Sequence, residues 1–364
     1  MKILFVINSL ATGGAEKLVV ESVPRFVASG IDIEVLLLNG KEFPFYTELK
    51  AMDCCKINIL GKGSVYNPML IFKIIPYLRR FDIVHVHLFP ALYWVAIAKI
   101  ISFSKVKLLF TEHSTSNRRR LNFWYRMADR IIYKQYTLVI TISTEVKLFL
   151  KKHLGVKNTK FVTINNGVDF DKVFNASPSA RKNFIKKEKD KIIIQVARFT
   201  NQKDHETLIK AIPYIKYPVV VLLVGEGPGV DKIKELANVL EVEDQVVFLG
   251  TRADVPRLLK MADIAVLSSN HEGLSLSGIE AMASGTPLVA SKVLGLANLV
   301  HDAGLLFIHK DEIDLAGKIN LLMSDPDYYA QTVASCLKRA KKFSLTKMVS
   351  EHILVYSKLC PNKN

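Results

Sequence analysis

An α/β protein of two doubly wound, Rossmann-like domains is predicted by three observations on this 364-residue chain. Short apolar, β-branched runs alternate with helix-length segments from end to end, the pattern of repeated βαβ units with parallel sheets. The alternation is interrupted once, by a polar and lysine-rich stretch at 175–191, and then restarts. The length also exceeds what one hydrophobic core usually supports, at about 100–200 residues per domain.

In the first half, strands are expected at 3–7, 33–38, 83–87, 107–111, 138–142 and 161–164. Several are apolar throughout, as suits strands covered on both faces. Helices are expected at 15–28, behind Gly13-Gly14, and at 143–152. The run Asn165-Asn166-Gly167-Val168-Asp169 marks a break, and the linker is placed between it and residue 191. The second set of strands is expected at 192–197, 219–224, 246–249, 264–267, 287–290 and 305–308, followed by helices at 327–342 and 345–359. Domains are set accordingly at 1–168 and 169–344. Two such sheets facing one another would form a cleft at their carboxyl ends, where open α/β sheets bind ligands.

Composition narrows the function classes. Hydrophobic residues are 49% of the chain and charged residues 23%, an ordinary globular balance. Cys54, Cys55, Cys336 and Cys360 lack the paired spacing of zinc or redox motifs, so reduced thiols of a cytoplasmic protein are expected. The first residues run straight into a strand pattern with no signal-peptide features. The greasiest segment, 92–103, contains Lys99 and is too short for a bilayer span, which takes about 20 apolar residues.

Net charge is +16 and uneven: residues 1–170 carry 24 Lys and Arg against 12 Asp and Glu, residues 171–364 carry 26 against 22. The densest cluster is Arg118-Arg119-Arg120, with Arg126 and Arg130 close behind. Two readings stand, a solvated basic face and attraction to an anionic membrane surface. No nucleic-acid recognition motif is present, so nucleic acid is not an expected partner.

Three loops carry candidate chemistry. Gly13 and Gly14 join the first strand to the first helix, where backbone N–H groups favour anions; an ordinary tight turn and a phosphate or acceptor site are both open. The loop lacks the Gly-x-Gly-x-x-Gly and Gly-Lys-Ser/Thr patterns, which argues against a nicotinamide dehydrogenase and a P-loop NTPase. Arg198 and Lys203 fall in the first βα loop of the second domain, suited to clamping a diphosphate and neutralising it as it departs. Glu272 and Glu280 bracket Gly273, Leu274, Ser275 and Leu276, with a helix expected to begin near Ser277. Exposed N–H groups there can hold phosphate oxygens, with Glu272 near a sugar and Glu280 accepting from a ribose hydroxyl.

The run Glu272-x7-Glu280-Ala-Met-Ala-Ser-Gly-Thr-Pro is reinforced by Arg198-x4-Lys203, Val224-Gly225-Glu-Gly-Pro, Asn166-Gly167-Val-Asp, Gly13-Gly14-Ala-Glu and Thr111-Glu-His113. Together these resemble the retaining glycosyltransferases of GT-B fold, family 4 or group 1 glycosyl transferases, over nearly the whole chain. The resemblance implies two Rossmann-like domains and a last helix, 345–364, that returns to the first. It implies that Arg198 and Lys203 bind the donor diphosphate, Glu272 the transferred sugar and Glu280 the ribose. Gly14, Gly225, Thr251, Arg252, Gly273, Leu274, Ser275 and Leu276 fall on the donor-binding side. His113 would lie near the reacting sugar, while a core or capping histidine stays open from the residues alone. The sequence departs from the family's usual wording in Glu-Gly-Leu-Ser-Leu-Ser and in Asp204, where glycine is frequent.

The expected activity is transfer of a hexosyl group from a nucleotide sugar, a UDP-sugar favoured, to a hydroxyl of a glycan or polyprenyl-diphosphate-linked acceptor in bacterial surface polysaccharide synthesis. The expected location is the inner face of the cytoplasmic membrane, with Arg118, Arg119 and Arg120 on the membrane and acceptor side. The resemblance implies no cofactor and no metal, with Arg198 and Lys203 providing the positive charge; Asp169-Phe-Asp171 and Asp325-Pro-Asp327 read as linker and helix cap, and no cluster has metal-ligand spacing. The alternatives are another GT-B enzyme, such as a sugar-nucleotide epimerase or a glycan phosphorylase, and a non-catalytic scaffold binding nucleotide or glycan.

Overall fold

A computed structural model describes residues 1–113, 122–155, 160–185 and 187–361. The chain divides into two compact units, residues 1–167 with 345–364, and residues 168–344. Each has its own parallel sheet and its own buried aliphatic core.

The first unit alternates strand and helix as β1 (Lys2–Ile7), α1 (Gly14–Ala28), β2 (Asp32–Leu37), α2 (Pro44–Ala51), β3 (Lys56–Ile59) and α3 (Leu70–Ile74). It continues as β4 (Ile83–His87), α4 (Ala91–Ile101), β5 (Lys107–Glu112), α5 (Phe123–Lys134), β6 (Leu138–Thr141), α6 (Thr144–Leu154) and β7 (Phe161–Thr163). The seven strands lie in the order β3-β2-β1-β4-β5-β6-β7, all parallel. Central strands such as β1 and β4 are buried along almost their whole length; β1 accordingly reads as an apolar run after Lys2, while β4 also buries His85 and His87. The edge strand β3 alternates Lys56 and Asn58 with isoleucines and is only partly buried, so its sequence carries a weak signal. Asn58 pays its way by donating to Glu34 Oε2 at 2.8 Å across the edge pair.

The second unit begins with α7 (Phe170–Phe174), then β8 (Lys191–Val196), α8 (His205–Ala211), β9 (Val219–Val224), α9 (Val230–Val239), β10 (Val246–Gly250) and α10 (Val255–Met261). It ends β11 (Ile264–Leu267), α11 (Leu276–Ala283), β12 (Leu288–Ser291), α12 (Leu294–Leu299), β13 (Leu305–Phe307), α13 (Glu312–Ser324) and α14 (Pro326–Ala340). Its six parallel strands lie in the order β10-β9-β8-β11-β12-β13.

The polar stretch 175–191 is not a free tether. Arg181 within it donates to the carbonyls of Met261 and Asp190 at 2.9 and 3.0 Å and to Asp263 Oδ2 at 2.8 Å, which fastens the segment to the second unit. Asp169 caps α7 by accepting from the Lys172 N–H, and Asp325 caps α14 by accepting from the Tyr328 N–H. Thus the second Asp-x-Asp run is the expected cap, and the first is a cap as well.

The last helix, α15 (Leu345–Leu359), packs against α1 within the first unit. Its Met348, Val349, His352 and Tyr356 are buried there, and the Tyr356 hydroxyl lies 2.7 Å from His85 Nδ1. The segment 92–103 forms α4, whose Ala91, Leu92, Val95, Ala96 and Ala98 belong to the core. Among the described residues no helix is long and apolar enough to cross a membrane.

In both sheets the strand order reverses direction once, between β1 and β4 and between β8 and β11. Loops leaving the carboxyl ends of such neighbours diverge to opposite faces and leave a crevice between them. In the second unit those are the loops that carry Lys203 and Glu272.

Candidate active site

Lys203 lies at the end of the loop after β8, and two buried polar side chains fix its backbone. Gln195, fully buried in β8, donates through Nε2 to the Lys203 carbonyl at 3.1 Å, and Ser268 Oγ, just past β11, donates to the Asp204 carbonyl at 2.6 Å. Asp204 then takes φ +45, a left-handed conformation that glycine adopts without strain and aspartate tolerates better than most residues. The Asp204 carboxylate accepts from Thr207 Oγ1 at 2.7 Å, a local bond that glycine would lack.

From this fixed backbone the Lys203 ammonium reaches the Glu272 carboxylate and forms an ion pair with Oε1. The same oxygen accepts from Ser269 Oγ at 2.9 Å. Glu272 is buried and Lys203 partly so, so the pair sits where water screens it poorly. The two loops are stitched further by the Asn270 N–H to the Gln202 carbonyl at 2.7 Å and Gln202 Nε2 to the His271 carbonyl at 3.0 Å.

Beyond Glu272 and Gly273 the chain turns into α11, whose N-cap Ser275 accepts from the Gly278 N–H. Leu276 is the first helical residue, so Glu280 falls about one turn into the helix, with its side chain buried. Gly295, in the first turn of α12, sits so close that a Cβ there would lie 2.3 Å from the Glu272 carbonyl oxygen. Only a residue without a side chain lets α12 back the Glu272 loop this tightly.

Arg198 is exposed, and among the described residues its guanidinium has no partner. Gly225, at φ +139, lets the loop after β9 approach the loop carrying Arg198: a Cβ would meet the Ala197 carbonyl oxygen at 2.2 Å. The Gly225 N–H donates to the Gly250 carbonyl at 2.8 Å, bringing the loop after β10 alongside. In that loop Thr251 is exposed, and Arg252 is held by Asp254 through two bonds of 2.8 Å. Arg198, Lys203, Gly225, Thr251, Arg252 and Glu272 therefore all follow the carboxyl ends of strands of one sheet.

Gly14 opens α1 in the first unit, with Gly13 as N-cap. A Cβ on Gly13 would lie 2.3 Å from Glu16 Oε2, so the helix's own carboxylate folds over its N-terminus. His113 follows β5 and joins a histidine cluster that sequence reading missed. Its Nε2 lies 3.2 Å from His87 Nδ1, and His85 Nε2 lies 2.7 Å from Thr111 Oγ1. With His352 of α15, Phe5, Phe26 and Asn166 they line a small recess. Burial pulls all four imidazole pKa values down, His113 to about 3 and His352 to about 4; repulsion from neighbouring histidines adds to it for His85, His87 and His113, while the Met348 carbonyl opposes it for His352. His87 Nε2 is buried without a partner among the described residues. Arg118, Arg119 and Arg120 lie outside the described residues.

Sequence reading also missed Gln195, Ser268, Ser269, Gly295 and His205. The His205 ring is stacked on Phe199 at 4.1 Å, and burial, with the Lys203 charge, lowers its pKa to about 4. A polar residue inside an otherwise apolar strand, Gln195 between Ile194 and Val196, was a usable signal. Gly295 and His205 had none. Among the described residues no cluster of three metal-ligating side chains occurs.

Two doubly wound sheets, a final helix returning to the first unit, and paired cationic and acidic side chains at a strand-order reversal define the GT-B class of enzyme. Residues 177–343 match the pattern of Glycosyl transferases group 1, and residues 12–172 that of Glycosyltransferase Family 4. The chain belongs to this family and is a glycosyltransferase. It is 26% identical over 294 residues to the N-acetyl-alpha-D-glucosaminyl L-malate synthase of Bacillus anthracis, covering 76% of this chain and 75% of that one. It is 27% identical to an Escherichia coli UDP-Gal:alpha-D-GlcNAc-diphosphoundecaprenol alpha-1,3-galactosyltransferase, over 68% of this chain and 67% of that one. The fold matches that of the Anabaena protein HepE, solved with UDP and glucose, at a TM-score of 0.87 and 24% identity over 98% of this chain and all (100%) of that one.

Proposed function

We propose that this glycosyltransferase moves a hexosyl group from a UDP-sugar to a hydroxyl of a glycan or polyprenyl-diphosphate-linked acceptor, with retention of anomeric configuration, in surface polysaccharide synthesis. The observation that carries this reading is the Lys203–Glu272 pair at the strand-order reversal of the second unit, beside the start of α11. A nucleoside-diphosphate sugar needs a cation where its leaving diphosphate gathers charge and a carboxylate where its sugar hydroxyls point. This pair supplies both within one contact. The relative named for UDP-galactose and diphosphoundecaprenol chemistry, and the fold shared with a UDP-bound protein, support the choice of donor and acceptor class.

In this reading Arg198 and Lys203 carry the diphosphate, aided by the first N–H groups of α11. Glu280 accepts from a ribose hydroxyl. Glu272, released from Lys203 as the phosphates enter, orients the sugar. Bond breaking at the anomeric carbon leaves an oxocarbenium-like centre, the departing diphosphate takes the acceptor proton, and the acceptor oxygen bonds to the same face. Positive charge comes from Arg198 and Lys203 in place of a metal. The first unit would receive the acceptor, with the enzyme held peripherally at the inner face of the cytoplasmic membrane.

The test is transfer from UDP-sugars to a lipid-diphosphate acceptor, with NMR of the product linkage. An α-linked product from an α-linked donor is expected. An inverted linkage overturns the mechanism, and release of an altered free sugar without any acceptor would instead mark an epimerase.

A further inference from the structure

Helix α5 carries its polarity inside out. Asp129 on its inner face is fully buried, accepting from the Tyr93 hydroxyl at 2.7 Å and pairing with His153 Nε2 at 2.8 Å. Tyr133, also inward, donates to Glu112 Oε2 at 2.8 Å. Arg126 and Arg130 each donate through Nε at 3.1 Å to the carbonyls of His153 and Leu154, the last two residues of α6. These bonds fix the rotation of α5 about its axis and lock it to α6.

The face left outward is apolar. Phe123, Trp124, Met127 and Ile131 are 67%, 78%, 42% and 57% exposed and follow one another at helical spacing. Leu148 and Phe149 of α6 are exposed as well. A helix that buries an aspartate and offers a tryptophan to water has a surface meant to be covered. The charge around it says by what. The two helices hold six Lys and Arg, namely Arg126, Arg130, Lys134, Lys147, Lys151 and Lys152, against Glu145 and the buried Asp129. Aromatic and aliphatic side chains bordered by cations match the boundary between acyl chains and anionic headgroups.

We propose that the α5–α6 face docks the protein on an anionic lipid bilayer, Phe123, Trp124, Met127 and Ile131 entering the headgroup–acyl boundary while the basic side chains meet lipid phosphates. The proposal deepens the peripheral-membrane part of the function above and rests on it only for purpose, since docking needs neither donor nor acceptor.

Trp94 and Trp124 are the two tryptophans of the chain. Trp94 is half-buried with its Nε1 bonded to the Val65 carbonyl at 2.8 Å, so the Trp94→Phe protein reports on Trp124 alone. With vesicles of equal parts phosphatidylglycerol and phosphatidylcholine, Trp124 emission moves to shorter wavelength; with phosphatidylcholine alone it does not. In cosedimentation of the full chain, Phe123→Ser with Trp124→Ser, and separately Ile131→Ser, lower the partition constant by at least about tenfold, while transfer to a water-soluble acceptor is unchanged. Unchanged Trp124 emission, or variants that bind as well as the parent, overturns the docking face. So does a lipid-free dimer that the same substitutions break apart, which assigns the face to a second copy of the chain. Binding without any sugar transfer sinks the proposed function and leaves the docking face standing.

Discussion

Lys203 and Glu272, 69 residues apart in sequence, meet as an ion pair across the two loops that diverge at the strand-order reversal of the second unit. In this pair each neutralises the other. Under the proposed function an incoming diphosphate would compete with Glu272 for the ammonium and free the carboxylate for the sugar, making donor binding and site assembly one exchange of partners.

Lys203→Ala and Arg198→Ala should each lower kcat by about a hundredfold or more, because charge on the leaving diphosphate grows in the transition state. Steady-state kinetics with saturating donor reads this directly. Wild-type kcat in both variants removes the diphosphate assignment.

Glu280→Gln should act on binding more than on turnover. Losing a charged acceptor for a ribose hydroxyl weakens UDP by about tenfold, since hydrogen bonds to charged groups contribute about 1.5–3 kcal/mol. Titration calorimetry with UDP measures it, and an unaltered Kd rejects the ribose role.

Gly225→Ala should destabilise the second unit by about 1–3 kcal/mol, from a contact at 2.2 Å and φ +139. Gly295→Ala should lower activity as well, because its Cβ displaces the Glu272 carbonyl. Gly317→Ala in α13, with nothing within 4 Å, is the control and should stabilise by about 0.5–1 kcal/mol. Thermal denaturation of the three variants separates the cases, and equal effects would show that the close approaches are dispensable.

The first unit should lose stability in acid. His85, His87, His113 and His352 have pKa values below the ordinary 6.5, so in acid the unfolded chain binds protons that the folded unit refuses. Their contribution is complete above pH 6.5 and falls as pH drops toward about 4. The slope is at most about 1.4 kcal/mol per pH unit for each histidine. Urea unfolding across that range, with His352→Gln flattening the dependence, is the measurement. A midpoint indifferent to pH contradicts it.

Chelation should leave turnover unchanged, with Arg198 and Lys203 supplying the charge. A loss of transfer in EDTA that magnesium or manganese restores would overturn metal independence.

Much of this was legible in the sequence because parallel strands buried on both faces are dominated by apolar residues, as β9 and, after Lys2, β1 are, and as β4 and β8 are apart from His85, His87, Lys191 and Gln195. The half-covered edge strand β3 escaped for the converse reason. Glu272 and Lys203 stood out as charged residues in loops directly after strands, a context readable along the chain. Their pairing was not readable, nor was Ser269 beneath Glu272, because both depend on which strands become neighbours. The histidine cluster was hidden for the same cause: His85, His87, His113 and His352 are brought together by β4, β5 and the far end of the chain.

That last helix sets the order in which the protein can be finished. His85 finds the Tyr356 hydroxyl 271 positions later, so the first unit leaves the ribosome lacking one of its walls and receives it only after the second unit has been synthesised. Until α15 arrives, Phe26 and the histidine rings beside it lack part of their cover. A chain interrupted before residue 345 would thus hold a whole second unit and an unfinished first one, a substrate for chaperones and proteases rather than half an enzyme.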